Sequence, residues 1–205
     1  GGYLSTGNLH PRDASNPDSN EREMFYINIF ALPDTRRSQA FLAHEFQHLI
    51  AFNQKEKLRG VNDDVWINEL RSEYAVTLLG YNDQFSGSNM ERRLQSFLAN
   101  PSDTLTEWRN LSADYAQVTM FGEYLAEHWP AAWLAESLRD GAVGVNSLQQ
   151  TWAARGSPDD FYTIFRDWAI ASYLNNTSVS DRYGYTRPGL RNFRVAPTRV
   201  FNGVA

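Results

Sequence analysis

The chain has 205 residues and no cysteine, hydrophobic side chains make up 42% of it, and its formal net charge is −5. This length and apolar content are sufficient for the core of one domain, and the acidic balance argues against a general nucleic-acid binder. The lack of cysteine excludes disulfides and thiolate metal sites, and no apolar run is long enough to span a membrane. The sequence opens on Gly1-Gly2 without an initiator methionine or signal peptide, so we expect a processed or trimmed form that lacks neighbouring domains.

An irregular arm followed by one strand is predicted for the N-terminal part. Residues 1–23 are rich in Gly, Asn, Asp, Ser and Pro, which predicts an arm without regular structure. From Met24 to Leu32 the sequence alternates and is rich in Phe, Tyr and Ile, which is typical of a strand. The candidate caps for the helix that follows are Asp34, Thr35 and Ser38.

The stretch 38–57 is predicted to be helical and contains a His-Glu-x-x-His motif. Residues four apart on a helix lie about 40° apart around its axis, so His44 and His48 can each direct an imidazole at one metal ion. Zinc suits this pair with one carboxylate, because a fourth position then stays open for water. The metal lowers the pKa of that water, and Glu45 is the candidate general base that takes its proton.

A motif with three fixed residues also occurs by chance in many unrelated proteins. Here Leu42, Phe46 and Leu49 form an apolar stripe on the side of the helix away from His44. The pattern predicts a helix whose apolar back lies in the core while its His and Glu side chains face a cleft. This context favours a metal site over a chance match.

A second helical stretch, 66–75, supplies further carboxylates. Glu69 and Glu73 are four residues apart and share one face, so Glu69 is the candidate third ligand from a neighbouring helix. Glu73 lies one turn further along, where it can accept the other N–H of a ligand histidine and set its tautomer. The alternative is that Glu69 and Glu73 form a solvated acidic face near Arg71. The His-Glu-x-x-His motif upstream makes this alternative less favoured.

These two segments together resemble the gluzincin metallopeptidases, and the flanking sequence is most similar to the hyicolysin family of bacterial neutral metallopeptidases. The segments that carry the resemblance are Glu23–Asn28, His44–Phe52, Trp66–Ala75 and Asp167–Ala171. The resemblance implies that His44, His48 and Glu69 are zinc ligands, that Glu45 is the general base and that Glu73 supports a ligand. One departure is Leu70-Arg71, where many relatives have a small residue after the Glu, so the local packing must differ.

The implied fold is an α+β, mostly helical, zincin-like catalytic domain that spans 1–205. Residues 1–75 would form a lobe with a small antiparallel sheet and the zinc helix, and residues 76–205 a mainly helical lobe. The resemblance also implies that a substrate peptide adds to the edge of the sheet as an extra strand. The expected protein is a secreted or cell-surface bacterial endopeptidase that needs Zn²⁺ and acts on proteins or peptides.

Residues 113–129 are predicted to form a helix that ends at Pro130. Members of the resembled clan use a Tyr or His from the second lobe to stabilise the oxyanion. Tyr124 and His128 share one face of this helix, whereas Tyr115 lies roughly on the opposite side. We favour Tyr115, near the helix start, with His128 as the alternative; a third interpretation is that all three are packing or surface residues.

The rest of the chain carries no catalytic signal of its own. Helices are predicted at 89–99, 130–139, 145–154 and 158–174, and extended segments at 183–185 and 193–201. The acidic loop residues Asp63, Asp64 and Asp83 do not match a calcium-loop spacing, so no calcium site is predicted.

Two alternative functions stay open. One is a zinc aminopeptidase, in which Glu21 or Glu23 would hold the free amine of the substrate, although the Gly-x-Met-Glu-Asn signature of such enzymes is absent. The other is a surface or binding protein with a structural zinc, which would not need Glu45. The presence of Glu45 favours catalysis.

Overall fold

The computed structural model of the chain describes residues 2–28, 30 and 35–196. Within these residues it contains seven α-helices and a two-stranded antiparallel sheet, which confirms the predicted mostly helical α+β class. The strands are β1 (Gly2–Leu4) and β2 (Phe25–Ile27), and the helices are α1 (Thr35–Ala51), α2 (Val65–Leu78), α3 (Asn89–Ala99), α4 (Ser112–His128), α5 (Ala132–Glu136), α6 (Val145–Ala154) and α7 (Phe161–Leu174).

The small sheet joins the N-terminal arm to the predicted strand. Gly2 pairs opposite Ile27, and Tyr3 stacks on Tyr26 with ring centroids 4.7 Å apart. A Cβ at Gly2 would lie 1.9 Å from the carbonyl oxygen of Tyr26, so glycine permits this close approach. The prediction of an arm without regular structure was therefore wrong at its start. The predicted strand 24–32 was too long, because β2 spans only Phe25–Ile27 and neither Asn28 nor Phe30 belongs to it; residues 29, 31 and 32 lie outside the described residues.

Helix α1 begins at Thr35, and it continues without a break into a π-helix at Phe52–Lys57. Ser38 lies inside the first turn, so it is not the cap, while Asp34 and the side chain of Thr35 lie outside the described residues. Short π-helical segments within helices occur often at functional sites. Here the segment begins four residues after His48, the last residue of the His-Glu-x-x-His motif.

The predicted apolar stripe of α1 is only partly correct. Leu49 is buried, but Phe46 is 53% exposed and packs edge-on against Phe25 of β2. Ala43 and Ala51 are the other buried apolar residues of the helix. The buried apolar side of α1 is therefore made mostly of small side chains, and Phe46 packs on the sheet instead of in the core.

The core is built around α4, which packs against both α2 and α3. Every residue from 116 to 125 is buried, so this helix has almost no solvent-facing side in its middle. Gly122 lies at the crossing with α2, where an added Cβ would be 3.2 Å from Cγ of Leu70. The aromatic rings of Phe121 and Trp168, 5.0 Å apart, join α7 to the same core.

Several predicted bounds were wrong in the C-terminal half. Helix α5 is shorter than the predicted 130–139, and α7 begins three residues after the predicted start at 158. The predicted extended segment 183–185 is irregular, with Tyr185 buried and its hydroxyl donating to the carbonyl oxygen of Met120 at 3.0 Å. The segment 193–201 is described only as far as 196. None of the described helices combines the length and the apolar character needed to cross a membrane.

Candidate metal centre and its cleft

Two neighbouring helices bring the three predicted ligands together. His44 and His48 come from α1, and their Nε2 atoms are 3.1 Å apart. Glu69 comes from α2 and places one carboxylate oxygen 3.2 Å from Nε2 of His44 and the other 3.5 Å from Nε2 of His48. One ligand atom from each residue lies within 4.8 Å of the others. Among the described residues, this is the one group of three or more His, Asp or Glu side chains that could hold a metal ion.

The surroundings of the group fit a cation. Oε2 of Glu69 is buried and has no aligned hydrogen bond, although Nε2 of His44 is close. The Nδ1 atom of His48 faces Asn68 Oδ1 at 3.2 Å and Ser72 Oγ at 3.1 Å, which leaves Nε2 for the centre of the group. Two imidazole nitrogens and one carboxylate match the donor set of a catalytic zinc site with an open position.

The charges of the group also favour an ionised carboxylate. Burial raises the pKa of Glu69, but hydrogen bonds and charge from His44 and His48 outweigh it and bring that pKa to about 2. Burial alone would lower the pKa of His48. The hydrogen bond and charge of Glu69 outweigh this effect, so the pKa of His48 is raised. Glu69 is therefore an anionic acceptor across the neutral pH range.

Glu73 is buried behind the metal group, not on a solvated face. Its Oε1 lies 3.5 Å from Nδ1 of His44, while Oε2 accepts hydrogen bonds from Asn89 at 2.6 Å and from Thr119 at 3.1 Å. Arg93 donates to both carboxylate oxygens, at 2.5 and 3.1 Å. Burial alone would raise the pKa of Glu73. The charges of Arg93 and His44 outweigh this effect, so the pKa of Glu73 is lowered. The carboxylate thus connects a predicted ligand to α3 and α4.

Glu45 is 7% exposed and lies beside His44 on the wall of a cleft of about 530 Å³. Its Oε2 accepts a hydrogen bond from the backbone N–H of Leu4 at 2.9 Å, so strand β1 orients the carboxylate. The sequence contains no signal for this contact, because any residue at position 4 offers a backbone N–H.

The two candidates for oxyanion stabilisation lie in different places. Tyr115 lines the same cleft as His44 and Glu45, with its hydroxyl 3.1 Å from Oδ1 of Asn110. Burial is the largest of the effects that raise the pKa of Tyr115 to about 12. His128 packs on Tyr124 at the other end of α4 and contacts the carbonyl oxygen of Gly184 at 3.1 Å; it is not among the residues that line the cleft.

Further residues of the cleft were not singled out from the sequence. Four arginines line it, as two adjacent pairs from α1 and α3: Arg36, Arg37, Arg92 and Arg93. Gly2 of β1 and Ile27 of β2 also line it, so the sheet borders the cleft. The two dibasic pairs are visible in the sequence, but nothing local indicates that they face each other.

Two imidazoles and a carboxylate converge beside Glu45, and His44 and Glu45 lie on the wall of an open cleft. Such a group defines a candidate metal centre of the kind found in metal-dependent hydrolases. No family model matches the chain. The chain is similar to neutral metalloprotease ShpI of Staphylococcus hyicus, with 25% identity over 222 residues. The aligned region covers 97% of this chain and 48% of that protein, so the chain spans about half the length of this relative. The similarity supports a metallopeptidase relationship in general, and the resemblance to the hyicolysin family stays a prediction.

Proposed function

We propose that this chain carries the catalytic centre of a zinc-dependent endopeptidase of bacterial origin, secreted or exposed at the cell surface. The observation that carries the proposal is the convergence of His44, His48 and Glu69, with His44 and the adjacent Glu45 on the wall of an open cleft. The similarity to a protein named as a bacterial neutral metalloprotease supports the same reaction class. The two-lobed division at residue 75 stays a prediction within this proposal.

His44, His48 and Glu69 are the residues that would hold the zinc ion. When bound, zinc supplies Lewis-acid polarisation of a peptide carbonyl and lowers the pKa of water. Oε1 of Glu73 lies 3.5 Å from Nδ1 of His44, where the carboxylate favours a proton on Nδ1 and leaves Nε2 facing the group. Asn68 does the same for His48. The partners of both rings, buried Glu73 and half-buried Asn68, thus set their tautomers before any metal is present.

Glu45 takes the proton of the attacking water and passes it to the leaving amine. The hydrogen bond from the N–H of Leu4 keeps its carboxylate directed into the cleft. Tyr115 is a neutral donor on the cleft wall, suited to the negative charge that develops on the carbonyl oxygen. In the structure its hydroxyl donates to Asn110, a partner that substrate would replace.

Neither alternative function has an observation that favours it. Glu21 and Glu23, the candidates for an aminopeptidase's amine site, are both exposed and do not line the cleft. The carboxylate of Glu21 instead accepts the backbone N–H of Arg12 at 2.7 Å. A structural zinc is normally enclosed by four protein ligands, whereas this group has three candidate ligands and one of them, His44, lines a cleft of about 530 Å³.

The decisive experiment compares wild type with Glu45→Gln on casein and on a peptide library read by mass spectrometry. The amide has the shape of the carboxylate but cannot take a proton, so we expect a loss of about 10²–10⁴-fold in kcat. Zinc content, measured by plasma mass spectrometry, should be unchanged. Cleavage by Glu45→Gln within tenfold of wild type would contradict the assigned base.

The same assay separates the two oxyanion candidates. Tyr115→Phe removes one hydroxyl from the cleft and should lower kcat by about 10²-fold with KM little changed. His128→Gln is the matched control, because it removes an imidazole on the same helix outside the cleft, and it should cleave like wild type. The opposite result would assign the oxyanion role to His128.

A further inference from the structure

Arg93 of α3 contacts both the carboxylate behind the metal group and the candidate oxyanion donor. Its Nε and Nη2 atoms donate to the two carboxylate oxygens of Glu73, at 3.1 and 2.5 Å. The central carbon of the same guanidinium lies over the ring of Tyr115, 4.5 Å from the ring centroid. One side chain on the cleft wall thus connects the two parts of the site that have separate roles in the proposed reaction.

Glu73 is a well-fixed anchor for this arginine. Its side chain is 1% exposed, and its Oε2 also accepts hydrogen bonds from Asn89 of α3 and Thr119 of α4. Two N–H groups that donate to two oxygens of one carboxylate define the orientation of the guanidinium as well as its position. Arg93 is therefore held in place from within the protein, although its side chain reaches the cleft.

The other contacts of the Tyr115 ring come from the segment that precedes α4. Trp108 meets the ring edge-on, with ring centroids 4.8 Å apart, and the hydroxyl donates to the exposed Asn110. In the proposed reaction substrate replaces Asn110, so this hydrogen bond does not hold the ring while the oxyanion forms. The contact with Arg93 remains, and it ties the ring to the metal group because Glu73 faces His44.

An arginine suits both contacts at once. The edge of its planar guanidinium supplies paired N–H groups to a carboxylate, and its flat sides are attracted to aromatic rings. A lysine ammonium is a compact point charge, so it can pair with Glu73 but offers no flat surface to Tyr115 at the same time. Replacement of Arg93 by lysine therefore separates the ion pair from the contact with the ring.

We infer that Arg93 is a positioning residue which, anchored by Glu73, holds the ring of Tyr115 so that its hydroxyl can donate to the oxyanion. The inference rests on the proposed peptidase function and adds a residue to it. Arg93 acts through Tyr115 and not on the reacting atoms themselves. Its ion pair with Glu73 also explains how a cation is tolerated beside a metal site, because the carboxylate offsets the repulsion between the two positive charges.

The test compares kcat for Arg93→Lys, Tyr115→Phe and the two substitutions combined. Arg93→Lys keeps the charge that pairs with Glu73, so the fold and the bound zinc should be retained, while kcat falls about tenfold with KM little changed. Because Arg93 acts through the Tyr115 hydroxyl, the combined variant should have the kcat of Tyr115→Phe alone, within about twofold. If the two losses multiply instead, Arg93 acts independently of Tyr115 and the inference is overturned.

Arg155→Lys is the matched control, because Arg155 also donates to both carboxylate oxygens of a glutamate, Glu136, and does not line the cleft. This control should cleave like wild type and retain its zinc. Wild-type kcat in Arg93→Lys would overturn the inference. Loss of bound zinc from Arg93→Lys would also overturn it, because the role of Arg93 would then lie at the metal group and not at Tyr115.

Nuclear magnetic resonance on protein with isotope-labelled tyrosine keeps this inference separate from the peptidase proposal. The ring signals of Tyr115, identified by their absence in Tyr115→Phe, should show Overhauser contacts to Arg93 in wild type. They should shift in Arg93→Lys but not in Arg155→Lys; unshifted signals would overturn the inference. If wild type cleaves no peptide, the peptidase proposal fails, and these spectra still support or overturn the hold of Arg93 on Tyr115. If wild type cleaves and Tyr115→Phe keeps full kcat, the positioning role is overturned and the peptidase proposal stands.

Discussion

Two clusters of charged side chains connect α1 and its π-helical extension to α2, and they differ in how their charges are satisfied. In the first, which we call the buried ion network, Lys55 donates to the carboxylate of Asp140 at 3.0 Å and Arg71 donates to that of Asp63 at 2.6 Å. In the metal group, Oε2 of Glu69 has no aligned hydrogen bond and the ligand atoms face one another. The polar groups of the network are paired with one another, whereas the metal group leaves Oε2 of Glu69 unpaired and could hold a metal ion.

The buried ion network also explains the departure from the family pattern at Leu70-Arg71. The guanidinium of Arg71 is buried and donates to Ser137 Oγ and Ser147 Oγ, each at 2.8 Å, so it joins α2 to the segment around α5 and α6. Asp63, an acidic loop residue without a calcium-loop spacing, accepts from Arg71 and from the backbone N–H of Gly144. The buried ion network therefore stabilises the fold, and the metal group is available for chemistry.

The largest effect should come from removing a ligand. His44→Ala, His48→Ala and Glu69→Ala should each lose nearly all bound zinc, because two remaining protein ligands do not make a zinc site. Metal content and activity measure this, while circular dichroism should show a retained fold, since the network is untouched. Full zinc retention in Glu69→Ala would place the third ligand elsewhere.

Breaking the buried ion network should have the converse result. Arg71→Ala leaves the buried carboxylate of Asp63 without its main partner, and we expect a loss of about 3–5 kcal/mol in the free energy of unfolding. Urea denaturation measures the loss, and zinc content below the transition should stay at the wild-type level. Arg139→Ala, at an exposed position, is the control and should change stability by less than about 0.5 kcal/mol. A simultaneous loss of zinc would show that the two clusters are not independent.

A third buried charge, Glu123, extends the comparison. Its carboxylate lacks aligned hydrogen bonds, and in the sequence it is far from every predicted metal ligand. Neither of its carboxylate oxygens has an aligned hydrogen bond, although Arg187 Nε is 3.1 Å away, and Tyr74 and Glu127 also face it. Burial raises its pKa from the ordinary 4.5 to about 7 despite Arg187. The folded state then binds the proton more tightly than the unfolded state.

The sign of the pH dependence follows from this shift. Between pH 4.5 and about 7 the folded state carries more protons at Glu123, so stability falls as pH rises through this window and is then level. The contribution is on the order of 3 kcal/mol. Glu123→Gln should flatten this part of the stability profile, measured by urea denaturation at several pH values. The exposed Glu107→Gln should leave it unchanged; an unaltered profile in Glu123→Gln would contradict the shift.

The smallest effect is expected behind the metal group. Glu73→Ala removes the carboxylate that faces Nδ1 of His44 at 3.5 Å and should weaken zinc affinity or activity by about 10–100-fold. Glu73→Gln keeps an acceptor for His44, but it loses the ion pair with Arg93, so it should be intermediate and not close to wild type. Competition with a chelator measures zinc affinity. Wild-type affinity in both variants would mean that Glu73 only stabilises the fold.

The sequence by itself determined the parts of the candidate site that lie within one helix. The spacing of His44 and His48, and of Glu69 and Glu73, sets their directions around each axis, because a helix has a fixed rotation per residue. The Gly and Pro residues at which helices end could also be identified from the sequence, so most helices lie close to their predicted ranges. These are local properties that need no knowledge of the neighbours.

Only the tertiary structure decided how those helices face one another. It turned Phe46 toward solvent and β2 instead of the core, and it placed the backbone N–H of Leu4 on Glu45. It also brought Arg37 and Arg92 to one cleft from elements that are more than fifty residues apart in the sequence. Such contacts depend on the distances and crossing angles between packed elements, which are set by the whole core and leave no periodic trace in the chain.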